Sequence, residues 1–100
     1  MSHPSAIAPY AQAAAVVKAD GTILRAHGIQ QVIPKGSGNY WIKVDSTVRL
    51  DRSVPVATPS PGAPWGSGAL IEVLSAESVI RVLIQTINGG NNAPFHLVVP

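Results

Sequence analysis

Nine residues, Val79 to Ile87, constrain this chain more than any others. They read Val-Ile-Arg-Val-Leu-Ile-Gln-Thr-Ile, and six of the nine are β-branched, a composition that disfavours a helix and suits a pleated strand. At period two, Ile80, Val82 and Ile84 share one face, while Val79, Leu83 and Ile87 alternate with Arg81 and Gln85 on the other. A dry face packs a core. A mixed face, half apolar and half polar, suits a second sheet, a neighbouring subunit or water. The stretch therefore predicts a central β-strand, and its mixed face is where function is expected.

The remaining chain punctuates itself into short strands. Residues 1–12 carry Pro4, Pro9, several alanines and one aromatic, Tyr10, without a period, and predict an arm that anchors on a neighbour through Tyr10. Ala13 to Lys18 predicts the first strand, Asp20-Gly21 a two-residue hairpin turn of the primed type, and Thr22 to Ala26 the returning strand. Ile29 to Ile33 predicts a strand that Pro34 ends, followed by a turn over 35–39 and a strand in which Tyr40, Ile42 and Val44 alternate with Trp41, Lys43 and Asp45. Residues 46–53 read as a connection, and Val54 to Thr58 as a short strand kept at an edge by Pro55. A loop rich in proline and glycine, 59–68, contains Trp65. Ala69 to Leu74, the central strand, a turn over 88–92 and a final strand from Pro94 to Val99 complete the chain. This pattern predicts an all-β domain over 13–100, an antiparallel β-sandwich or small barrel of seven or eight short strands, preceded by the arm over 1–12.

Composition limits what such a domain can do. Charged residues are 12% of the chain against about 25% in an average soluble domain, while hydrophobic residues reach 46%. So little charge leaves large apolar patches on a small monomer, which predicts a homo-oligomer. Seven Lys and Arg face five Asp and Glu without clustering, so no nucleic-acid partner is expected. No apolar run approaches the roughly 18 residues of a membrane span, and no membrane insertion is expected. The first ten residues lack a basic leader with a continuous apolar stretch, so no secretory signal is expected. Synthesis in the cytoplasm follows, with a virion or a released extracellular assembly as a possible destination. Cysteine is absent, which excludes a disulfide framework and thiolate chemistry.

Residues capable of chemistry are few. His3 has the position for square-planar metal binding at a free amino terminus, but a small Ser2 favours removal of Met1. His27 and His96 read as satisfied histidines, with His96 a weak metal candidate if three copies met on an axis. Asp45 and Asp51 lack the oxygen spacing of a calcium loop. The serines of Gly36-Ser37-Gly38 and Gly66-Ser67-Gly68 lack the strand-to-helix elbow of a nucleophile and the ending of a phosphate cradle. No enzyme activity and no cofactor are expected. Aromatic residues carry more weight: Trp65 in its loop, and whichever of Tyr40 and Trp41 faces outward, are candidate ligand-binding or interface anchors.

Three stretches carry a resemblance. Val16-Val17-Lys18-Ala19-Asp20-Gly21-Thr22, then Gly36-Ser37-Gly38-Asn39-Tyr40-Trp41-Ile42-Lys43-Val44-Asp45, then Phe95-His96-Leu97-Val98-Val99 together resemble a small bacterial and phage β-sandwich domain. That domain has the pattern VV-ADGT, GxGxYxVxF and FHLVV, and stands alone or at the tip of collagen-like and phage-tail-like fibre proteins. Val44 stands where that pattern often has an aromatic, and no cysteine occurs around Val54 to Val56. The resemblance implies a trimer-prone structural or contact module in which no catalytic residues carry over. The expected function is a non-enzymatic subunit of a fibre-tip or virion-like homo-oligomer. Its interface would be formed by Tyr10, Val79, Arg81, Leu83 and Gln85, and its partners would be copies of itself and other assembly subunits. The alternative is a lectin-like module that stacks a surface glycan on Trp65.

Overall fold

A computed structural model describes residues 11–63, 66–87 and 89–100. The chain folds as two antiparallel sheets packed face to face, with no α-helix among these residues. The strands are β1 (Ala13–Val17), β2 (Ile23–His27), β3 (Ile29–Gly36), β4 (Asn39–Val44), β5 (Val56–Pro59), β6 (Gly68–Leu74), β7 (Val79–Thr86), β8 (Gly89–Gly90) and β9 (Phe95–Val99). One sheet has the order β2-β1-β9-β5; the other runs β3-β4-β7-β6, with β8 added to β7. Among the described residues, the two-residue β8 is the only strand beyond the seven or eight expected.

The core lies between the sheets because strand alternation sends one apolar set inward from each. Ala13, Ala15, Val17, Phe95, Leu97 and Val99 come from the four-stranded sheet, and Tyr40, Ile42, Val44, Ile80, Val82 and Ile84 from the five-stranded one. β7 pairs with β4 and β6 along its two sides, so it is interior to its sheet. Ile80, Val82 and Ile84 have no solvent exposure, as the period-two pattern requires. Tyr40 and Phe95 join the layers, with ring centroids 4.9 Å apart.

Two local expectations are corrected. β3 does not end at Pro34 but continues to Gly36. It is the outermost strand of its sheet, so one side of its backbone needs no ladder donor and proline is tolerated there. The Asp20-Gly21 hairpin is not a two-residue primed turn: Gly21 N–H donates to Lys18 O at 2.9 Å and Lys18 N–H to Thr22 O at 2.8 Å. Only Gly21 of the pair has positive φ, at +90°. A three-residue loop of this kind needs one left-handed position rather than two. Asp20 Oδ1 accepts the Thr22 N–H at 2.9 Å, and that bond holds its carboxyl below the usual carboxylate range. Consecutive positive φ values occur instead at Gly36, Ser37 and Gly38, at +89°, +54° and +83°, where Ser37-Gly38 joins β3 to β4.

Gln12 belongs with the folded body. Its N–H donates to Val99 O at 2.8 Å, and its side chain bridges Ser53 Oγ, Pro100 O and the Arg49 N–H. The expected arm is thus tied to the sandwich at its last residue; its other residues, Tyr10 included, lie outside the described ones except Ala11.

Candidate functional site

The outer face of the five-stranded sheet gathers most of the residues singled out in the sequence. Across β3, β4, β7 and β6, pairing aligns Ile33 with Trp41, Trp41 with Arg81 and Arg81 with Glu72. On one side of this row, Asn39 pairs with Leu83 and Leu83 with Leu70. On the other, Gln31 pairs with Lys43, Lys43 with Val79 and Val79 with Leu74. Gln85 lies one step farther along β7, opposite Gly68. Strand alternation explains the set: the intervening residues of β4 and β7 are core, so these point away from it.

Arg81 occupies the middle of the face. Its guanidinium donates to Glu72 Oε1 at 2.9 Å across the β6–β7 pair, with both side chains substantially solvent-exposed. An exposed pair of this kind adds about 0–1 kcal/mol of stability, so its main effect is to hold the Arg81 side chain along the sheet. A hollow of about 200 Å³ lies beside it, lined by Leu70, Ile71, Glu72 and Leu83. Lys35 Nζ stands 5.0 Å from the centre of the Trp41 ring, a cation–π contact that steadies the indole. Leu70 is 57% exposed. Apolar side chains therefore flank a central ion pair, with Lys35, Lys43 and Gln31 toward the β3 edge. Such a face can bury apolar area against another protein surface while orienting it by charge.

Among the sequence-predicted site residues, the fold brings Trp41, Val79, Arg81, Leu83 and Gln85 together on this face. Tyr40 is not available to a ligand. It points inward, is fully buried, and its hydroxyl donates to the Ala19 carbonyl, because it pairs with the core residue Val82 while Trp41 pairs with Arg81. Trp65, Tyr10 and His3 lie outside the described residues. His96 is exposed on β9, on the other side of the sandwich. Ile87 is 83% exposed just beyond β7.

Sequence reasoning missed Ile33, Leu70, Glu72 and Leu74 as members of the face. Alternation in Leu70, Glu72 and Leu74 was a usable signal; the adjacency of β6 and β7 was what gave it meaning. Among the described residues no three His, Cys, Asp or Glu side chains are grouped to hold a metal ion, and no helix is long and apolar enough to cross a membrane.

No protein-family model matches the chain, and no curated protein or solved structure is significantly similar to it.

Proposed function

We propose that this chain is a non-enzymatic structural and contact subunit of a homo-oligomeric assembly, of the fibre-tip or virion-like kind, with the outer face of the five-stranded sheet as a principal contact surface. One observation carries the reading: Trp41, Leu70, Leu83 and Val79 lie on one outer face around the Arg81–Glu72 pair. The chain has only 12% charged residues with which to cover the rest of its surface. Aromatic and arginine side chains at the centre of a patch are the composition favoured at protein contacts. The number three comes from the resemblance of the hairpin and terminal strand to fibre-tip domains.

Glycan-array binding combined with light scattering tests this reading against a lectin-like one. A stable oligomer without saturable glycan binding is the expected outcome. Saturable sugar binding that disappears in Trp65→Ala, with the oligomer unchanged, would instead favour the lectin-like module.

A further inference from the structure

Four strands end the two sheets, β2 and β5 in one, β3 and β6 in the other. An edge strand presents unpaired N–H and C=O groups, and natural folds blunt it with proline, lysine, a bulge or brevity. β2 has five residues, carries Arg25 and meets β1 through a register shift. β3 contains Pro34 and Lys35 and pairs with β4 irregularly at two places. β5 has four residues, follows Pro55 and ends at Pro59. β6 has none of these devices. Its seven residues contain no proline, lysine or arginine and pair with β7 without a register shift.

Hydrogen bonds on the far side of β7 fix which backbone groups of β6 point outward. Ile84 N–H donates to Gly38 O at 2.8 Å, and Val44 N–H donates to Ser78 O at 3.0 Å, so residues 78, 80, 82 and 84 bond toward β4. Residues 79, 81, 83 and 85 therefore bond toward β6, where they face Leu74, Glu72, Leu70 and Gly68. That leaves the N–H and C=O of Ala69, Ile71 and Val73 directed away from the sheet. The side chains of the same three residues lie at the margin of the core and stay half-buried, whereas Ile80, Val82 and Ile84 on β7 have no exposure. One further strand would pair those backbone groups and cover those side chains.

We propose that this edge pairs antiparallel with β6 of a second copy about a two-fold axis at Ile71, joining two five-stranded sheets into one. The fit comes from the symmetry of the strand itself. With Ile71 opposite Ile71 of the second copy, Ala69 falls opposite Val73 and Val73 opposite Ala69, so every outward backbone group of β6 meets its complement. On the outer face Glu72 then stands opposite Leu70 of the copy, and each Glu72 is held toward its own Arg81 at 2.9 Å. Gly68 faces Leu74 of the copy, and the space where a Gly68 side chain would stand is open. A shift that pairs Leu70 with Leu70 leaves Val73 opposite Ser67, outside the strand. The opposite shift sets Glu72 against Glu72, and like charges directly across a strand pair are destabilising. A single strand pair is a small contact beside the roughly 1,200–2,000 Å² of a stable interface, so it links chains, or assemblies already formed, at high concentration. The pairing uses the edge alone and does not depend on the outer sheet face being a contact.

The chain has no cysteine, so single thiols can read the register directly. Opposed residues of a hydrogen-bonded antiparallel pair have Cα atoms about 5.5 Å apart, within the span of a disulfide. With diamide as oxidant and the full chain at about millimolar concentration, Ile71→Cys is expected to form a covalent dimer at least about tenfold faster than Ala69→Cys or Val73→Cys alone. A mixture of Ala69→Cys and Val73→Cys should give the mixed dimer in preference to either homodimer. Hydrogen exchange on the unsubstituted chain needs no variant: the amides of Ala69, Ile71 and Val73 should exchange at least about twofold more slowly at millimolar than at micromolar concentration. Equal cross-linking of the three variants, or exchange at these amides independent of concentration, would overturn the pairing. A wild type of several chains whose Ile71→Cys variant does not cross-link would overturn this proposal and leave the outer-face reading standing. A wild type with the mass of one chain at micromolar concentration that still cross-links through Ile71→Cys would do the reverse.

Discussion

Tyr40 ties three parts of the molecule together. Its ring packs on Phe95 of the opposite sheet, its backbone pairs in β4, and its hydroxyl donates to Ala19 in the first hairpin. Replacing it by phenylalanine keeps the packing but leaves the Ala19 carbonyl without that donor, so Tyr40→Phe is predicted to cost about 1–2 kcal/mol in urea unfolding. Burial pushes the Tyr40 phenol above its ordinary ionisation range, with Asp20 adding to the effect and a backbone hydrogen bond from Ala93 opposing it. The folded value is raised, so this contribution to stability is fully present below about pH 10 and is lost as pH rises through the folded value. Alkaline unfolding followed by circular dichroism should be less steep in Tyr40→Phe. Two neighbouring glycines make a sharper comparison. Gly36 and Gly38 both have positive φ, but a Cβ on Gly38 would stand 2.2 Å from Ile84 O, whereas one on Gly36 meets nothing within 4 Å. Gly36→Ala should cost about 1–2 kcal/mol for its backbone conformation alone; Gly38→Ala should cost more, because the Ile84 carbonyl belongs to β7 and cannot move cheaply. Thermal melts of the two variants decide this.

At the scale of the element, β7 concentrates the fold's dependence on one strand. Val82 is fully buried between β4 and β6, so Val82→Asp places a carboxylate where no partner exists and is predicted to abolish soluble expression. A wild-type yield and melting temperature would contradict this. The legibility of β7 from sequence has the same cause as its importance. Ile80, Val82 and Ile84 alternate strictly because a sheet layer is buried on one side only, and the opposite alternation marked Val79, Arg81, Leu83 and Gln85 as a face of interest. What the sequence left open was pairing. Whether Tyr40 or Trp41 points inward depends on the β4–β7 register, a contact between distant residues that no local pattern encodes. Pro34 reads locally as a strand end, yet it is tolerated because β3 lies at a sheet margin. Asp20-Gly21 and Ser37-Gly38 show the same limit in turns: Asp-Gly has the stronger local preference for a primed hairpin, but it is Ser37 and Gly38 that both have positive φ, while Asp20 does not.

For the molecule as a whole, the two sheets separate two surface chemistries on opposite sides of one core. The five-stranded face combines Trp41 and three leucines with an oriented ion pair; on the four-stranded face, small and β-branched residues of β1, β9 and β5 stand beside His96 and, on β2, Arg25 and His27. A chain with this little charge gains solubility by covering apolar faces with other chains. Leu83 is suited to test that cover, since it lies on the outer side of β7 while the core takes the alternate residues. Leu83→Asp is therefore predicted to weaken assembly while the strand signal in circular dichroism persists. The most direct measurement is the mass of the full chain by light scattering at roughly micromolar concentration, beside that of Leu83→Asp. A wild-type mass of several chains, three by the fibre-tip resemblance, and a lower mass for the folded variant are expected; a wild type with the mass of one chain would contradict self-association through this face.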